Sequence, residues 1–176
     1  ERREGLLHPD QLQNDATMPP WDQPSDENFY LQEHAARLLR SFTRWTGRNL
    51  SDPNLPLVQQ ARQLFLAPFV VLSHNTAADP ILNYANQAGL TLFELAWAEL
   101  ITLPSRQTAE PIEQQERARL LATVAQQGYM DNYRGVRVTR TGRRFLIQRA
   151  TVWNLLDENL AYYGQAATFS DWKFLE

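Results

Sequence analysis

His74 and Asp79 are the residues whose types and spacing point first to chemistry. Asp79 follows five positions after His74 across a polar stretch. An imidazole and a carboxylate brought together there could form an acid–base pair, or a histidine oriented by its carboxylate. A plainer reading is preferred: a strand-end histidine bonded to backbone, and an aspartate that starts the turn before Pro80. The other histidines, His8 and His34, share no metal-ligand spacing with it, so a zinc site is not expected. The chain has no cysteine, which removes disulfides, thiolate metal sites, cysteine nucleophiles and cysteine–flavin photoadducts. A second cluster is cationic: Arg134, Arg137, Arg140, Arg143, Arg144 and Arg149. It reads either as an anion or nucleic-acid surface, or as a solvated hairpin whose charges guard a sheet edge. The net charge is −3 and Lys173 is the only lysine, so the solvated hairpin is preferred and a nucleic-acid partner is not expected.

A third set could bind a small molecule. Thr151 and Asn154, with Gln165 and Thr168, are polar residues on strands that read as buried. Asn83, Tyr84, Phe93 and Trp153 could line the same pocket with a flat aromatic surface. The competing account is that the polar groups satisfy one another or buried backbone, and that the aromatics are core. By strict alternation Phe145, Ile147, Arg149, Thr151 and Trp153 share one face of their strand; Leu146, Gln148, Ala150, Val152 and Asn154 share the other. Both faces are mixed, which predicts that both are covered.

The elements that must position these residues follow from periodicity. Residues 1–27 are polar and proline-rich and read as an irregular arm. Residues 28–46 read as a helix, with Leu31, Ala35, Leu38, Phe42 and Trp45 on one face and Gly47 as its stop. That stripe suits either packing on the chain's own sheet or dimerisation. A linker with two prolines follows, then a short helix over 57–66. Strands are predicted over 69–74 and 80–85, and Asn86 can cap the next helix. A short helix around 97–103 and a loop over 104–110 precede a helix over 112–127, with Leu120, Leu121 and Val124 inward and its glutamines and arginines outward. Strands over 129–140, 143–156 and 162–169 end the chain, with a hairpin turn at Thr141-Gly142. We therefore expect an α+β fold: a five-stranded antiparallel sheet with helices on one face and an N-terminal helical extension that could cover the other. The divisions are 1–27 as arm, 28–56 as helix and linker, and 57–176 as the domain. A cone-shaped NTF2-like fold is the rival, but its helices usually precede its strands.

Particular segments sharpen this. Residues 80–86 (PILNYAN) resemble the I-x-Y-A-N second strand of PAS domains. Residues 92–100 (LFELAWAEL) are similar to the PAS segment L-x-G-Y-x-x-E-E-L, with Glu94 where glycine is usual. Residues 157–164 (DENLAYYG) are similar to the turn before the last PAS strand, with Asn159 where glycine often sits; asparagine tolerates the left-handed conformation. A closer resemblance is to the MEKHLA domain family, carried by 67–74 (APFVVLSH), 78–86 (ADPILNYAN), 148–157 (QRATVWNLLD) and 164–169 (GQAATF). It extends over roughly residues 30–175.

The family occurs as stand-alone bacterial proteins and as the C-terminal domain of plant class III homeodomain–leucine zipper proteins. The resemblance implies a PAS-like sensing or dimerisation-controlling role and no particular catalytic residue. The expectation is thus a sensory module, not an enzyme, that binds a small organic ligand, with a homodimer or partner protein engaged through the N-terminal helix. The alternatives are an enzyme using the same cavity, with His74 and Asp79 as acid and base, and a purely structural dimerisation domain. Haem or non-covalent flavin is left open by the PAS resemblance. No apolar run approaches the roughly 18 residues of a spanning helix, and no signal peptide is evident, so a cytoplasmic protein is expected.

Overall fold

The computed structural model describes residues 21–176; most of the expected irregular arm, with His8, lies outside the described residues. The chain enters through a 3-10 segment, Asp26–Leu31, in which the Ser25 N–H donates to Asn28 Oδ1 at 2.9 Å. Phe29, Tyr30 and Leu31 then take φ values of 55, 53 and 51°. Three side-chain-bearing residues in the left-handed region end any right-handed helix. Helix α1 (Gln32–Thr46) therefore starts four residues later than periodicity alone predicts. The reversal buries Tyr30 against Phe65, with ring centroids 6.2 Å apart.

Helix α2 (Leu57–Phe65) leads into β1 (Val70–His74) and β2 (Leu82–Ala85). Helices α3 (Gln87–Phe93) and α4 (Trp97–Leu100), a 3-10 turn (Ser105–Thr108) and α5 (Pro111–Gln127) follow. Strands β3 (Tyr129–Val138), β4 (Arg144–Leu156), β5 (Tyr162–Phe169) and β6 (Asp171–Phe174) complete the chain. The sheet is antiparallel with order β2-β1-β5-β4-β3, and β6 pairs with β4. Thus a sixth short strand joins the expected five. It prolongs β5 past Ser170 without a slip: Thr151 faces Thr168 and Gln148 faces Asp171.

Helix α5 lies on one face of the sheet and α1 on the other, so both faces are covered. Their side chains and those of the sheet form one hydrophobic cluster, which runs from Tyr30, Leu38 and Phe42 to Leu120 and Phe169. Residues 28–56 are therefore packed into the same core as the rest. Strand β4 changes face within its length. Phe145 and Ile147 face the α5 side, and past Arg149 so do Val152 and Asn154, while Thr151 and Trp153 turn to α1. Strict alternation fails here because Arg149 is left-handed (φ 52°) and Ile147–Ala150 of β4 oppose the shorter span Tyr133–Gly135 of β3. One extra residue in a bulge moves every later side chain to the opposite face.

Two glycine-like positions are held by other residues. Glu94, where the PAS pattern has glycine, ends α3 with φ 59°. Its carboxylate takes hydrogen bonds from Thr141 and Arg143, which docks the β3–β4 hairpin. In the turn before β5 the left-handed residue is Leu160 (φ 62°), not Asn159, because Asp157 Oδ1 accepts from the N–H groups of Asn159 and Ala161 and fixes the loop around it. Gly164 at the start of β5 is required by contact: a Cβ there would lie 2.1 Å from the His74 carbonyl oxygen.

Candidate functional site

Between the sheet and helices α3 and α5 lies a cavity of about 60 Å³. Leu72, Leu82, Leu120, Ile147, Val152 and Phe169 give it apolar walls. The sequence places them there through strand alternation on β1 and β5, the bulge on β4, and the inward stripe of α5. Set into these walls are polar residues, among them His74, Arg117, Tyr133, Arg137 and Gln165.

His74 is 6% exposed and donates through Nδ1–H to the Asn75 carbonyl at 2.9 Å. A carbonyl can only accept, so the proton is on Nδ1 and Nε2 carries a free lone pair. Among the described residues Nε2 has no hydrogen-bond partner; the Gln165 side chain beside it favours the protonated ring only weakly. Burial dominates and pushes the imidazole pKa down to about 4, so the ring is neutral at pH 7. Gln165 donates to the Leu121 carbonyl (3.0 Å) and to Asn154 Oδ1 (3.1 Å), and Asn154 donates to the Val124 and Ala125 carbonyls (3.0 and 3.2 Å). This pair ties the last turns of α5 to the sheet.

Arg137 is 7% exposed; it donates to the Val136 carbonyl (2.8 Å) and to Tyr133 Oη (3.1 Å). The Tyr133 hydroxyl donates onward to Glu116 (2.9 Å). Gly135 makes room for this, since a Cβ there would sit 2.4 Å from Tyr133 Oη. Arg117 on α5 donates to Ser105 Oγ at 3.0 Å. Burial, with the charge of Arg137, lowers the Arg117 pKa to about 10, which leaves it cationic at pH 7.

Of the candidate binding residues, Phe93 and Gln165 line this cavity, and Asn154 adjoins it through Gln165. The others lie on the α1 side. Thr151 bonds to Asp131, Thr168 donates to the Val70 carbonyl, and Trp153 packs edge-on to Phe42 at 5.0 Å. Asn83 ends a buried relay under α1, and Tyr84 packs beside it. Tyr163 Oη donates to His34 Nδ1 (3.2 Å), His34 Nε2–H to Ser73 Oγ (3.0 Å), and Ser73 to Asn83 Oδ1 (2.6 Å). Trp21, Tyr84 and Tyr163 surround the His34 ring at 5.4–5.7 Å. Burial, aided by the nearby Arg37 charge, lowers the His34 pKa to about 3.

His74 and Asp79 do not meet as acid and base: Asp79 pairs with Arg106 at the surface (3.2 Å). Among the described residues no group of three histidines or carboxylates could hold a metal. In the arginine hairpin, Arg140, Arg143, Arg144 and Arg149 pair with Glu99, Glu94, Glu110 and Asp171. Arg137 departs from the expected solvated hairpin by turning inward, and Arg117 departs from the expected outward arginines of α5. Both were signalled by spacing: Arg117 precedes Leu120 and Leu121 by one helical turn, and Arg137 follows Tyr133 by four strand positions. Residue type masked it, since an arginine at such a position normally snorkels to solvent.

The fold recurs in known structures. The PAS domain of a protein from Colwellia psychrerythraea superposes with a TM-score of 0.57 at 15% identity, covering 68% of this chain and 96% of that one. An RNA-binding light-oxygen-voltage receptor gives 0.56 at 17% identity, covering 72% of this chain and 36% of that one. In sequence, the homeobox-leucine zipper protein ATHB-9 of Arabidopsis thaliana is 31% identical over 103 residues, which are 58% of this chain and 12% of that protein. Its relative ATHB-14, from the same plant, is 28% identical over 140 residues, 77% of this chain and 16% of that protein. The chain thus spans under a fifth of either plant protein's length. The MEKHLA domain profile matches residues 32–174, the whole of the packed sheet with its helices, and the chain belongs to the MEKHLA domain family.

Proposed function

We propose that this chain is a sensory module that binds a small organic molecule between its sheet and α5, and that it is not an enzyme. The observation that carries the reading is the cavity beside His74, whose buried Nε2 has no partner among the described residues. An unmet buried acceptor is costly, and a ligand donor would meet it. A flavin or haem does not fit: the cavity is several-fold smaller than pockets for drug-sized ligands, which start at about 300 Å³. The output would cross the sheet. On β1, His74 faces the cavity while its neighbour Ser73 holds His34 of α1. Occupancy that shifts β1 would reach α1, whose outer face (Arg37, Arg40 and Arg44) is where a second copy or partner protein would read it. The apolar stripe of α1 is already committed to the sheet, with Ala35, Leu38 and Phe42 buried. Among the described residues no helix is long and apolar enough to cross a membrane.

Native mass spectrometry of protein purified without refolding tests this. A stoichiometric added mass, lost on unfolding, is the expected result. A clean unliganded mass, together with no thermal stabilisation across a library of small metabolites, would overturn the ligand reading and leave a purely structural module.

A further inference from the structure

Arg117 and Arg137 bring two guanidinium groups to one small cavity, and neither is paired with an acid. Arg117 donates to Ser105 Oγ, and Arg137 to the Val136 carbonyl and Tyr133 Oη, all neutral acceptors. Among the described residues no carboxylate forms an ion pair with either, although four neighbouring arginines of the β3–β4 hairpin each have one. Glu116, the carboxylate bonded in this cluster, accepts from Tyr133 instead. Two like charges against apolar walls carry a desolvation cost and a mutual repulsion that an anion would relieve. The planar guanidinium fork matches a carboxylate in two parallel hydrogen bonds.

The same cavity has a requirement of opposite sense. With its proton on Nδ1, His74 offers Nε2 as an acceptor, so it calls for a ligand hydroxyl or N–H and repels a second anionic oxygen. The volume admits roughly four to six water-sized groups, the size of a three-carbon hydroxy acid. Leu72, Ile147 and Val152 line it with aliphatic surface. Resting on the ligand reading above, we propose that the site takes a short hydroxycarboxylate: its carboxylate on Arg117 and Arg137, its hydroxyl donating to His74 Nε2.

Isothermal titration of the full chain with lactate, propionate, lactamide and inorganic phosphate tests the assignment. Lactate should bind. Propionate, which lacks the hydroxyl, should bind at least tenfold more weakly, and lactamide, which lacks the charge, should not bind detectably. Arg117→Met should weaken lactate at least a hundredfold while the ligand-free variant keeps the wild-type circular dichroism spectrum and melts no earlier. Should that variant misfold, His74→Phe gives a second reading, lowering lactate affinity to that of propionate and leaving propionate unchanged. Equal binding of lactamide and lactate, or undiminished lactate binding by folded Arg117→Met, would overturn the carboxylate assignment and leave a ligand-binding cavity standing. Phosphate binding without lactate binding would overturn it as well. Silence from all four probes, with an unrelated mass retained in native spectra, would overturn this inference alone; silence with a clean unliganded mass would remove the ligand reading too.

Discussion

Asn86 illustrates how much one side chain can organise. It is fully buried, and all its amide positions are used. Oδ1 accepts from the N–H groups of Gly89 (3.1 Å) and Val71 (3.0 Å); Nδ2 donates to the carbonyls of Leu64 (3.1 Å) and Phe69 (2.7 Å). One residue thus caps α3, binds β1 and closes the end of α2. The capping role is legible in the sequence, because Asn before an apolar helical stripe has a local meaning. The other three bonds are not, since they join segments far apart along the chain. Asn86→Ala would take the partner from two backbone groups, the Val71 N–H and the Phe69 carbonyl, besides losing the cap, and should destabilise by about 3 kcal/mol. Urea unfolding at neutral pH measures it, and a loss below about 1 kcal/mol would mean that water replaces the amide. Arg117 and Arg137 belong to the same lesson. Their spacing pointed inward, but the physical reason to bury a cation, a partner anion, is nothing a single chain displays.

At the scale of elements, most strands and helices are readable from period and punctuation. Gly47, Pro111, Gly128 and Thr141-Gly142 fall where helices or turns begin or end. What was not readable is where a strand rotates. The bulge at Arg149 has no glycine to announce it, and it decides which half of β4 faces the cavity. The candidate binding residues combine positions of opposite parity and so fall on both faces: Thr151 and Trp153 belong under α1, and Gln165 and Phe93 belong to the cavity. The amphipathic stripe of α1 was plain, but amphipathicity does not say which surface it meets. It meets β4 and β1. Phe42, 2% exposed, packs edge-on to fully buried Trp153. Phe42→Ala should cost about 3–5 kcal/mol, read as a fall in the urea midpoint with the slope unchanged. If α1 instead packed on a second copy, the loss would depend on protein concentration, and a dilution series over a hundredfold range separates the two.

At the scale of the whole molecule, the described residues form a single sheet covered on both faces, with one neutral histidine buried on each. His34 under α1 and His74 in the cavity titrate near 3 and 4, against 6.5 for a free imidazole. In both, burial is the main cause and a nearby arginine assists. The unfolded chain therefore binds more protons than the folded one between pH 6.5 and about 4, so stability rises with pH across that window. The contribution of each ring is complete above pH 6.5 and is lost progressively as the pH falls toward its folded value. Each histidine removes about 1.4 kcal/mol per pH unit below 6.5. Between pH 7.5 and 5.5 the two together should lower the unfolding free energy by about 3 kcal/mol, and His34→Gln should halve that difference. Adjacent residues of β1 hold the two rings' surroundings, Ser73 on one side and His74 on the other, so the loss should appear as one cooperative transition by fluorescence and by circular dichroism. Two separated transitions would mean that α1 detaches before the sheet unfolds. A signal could then leave the cavity only by a route other than the β1 strand.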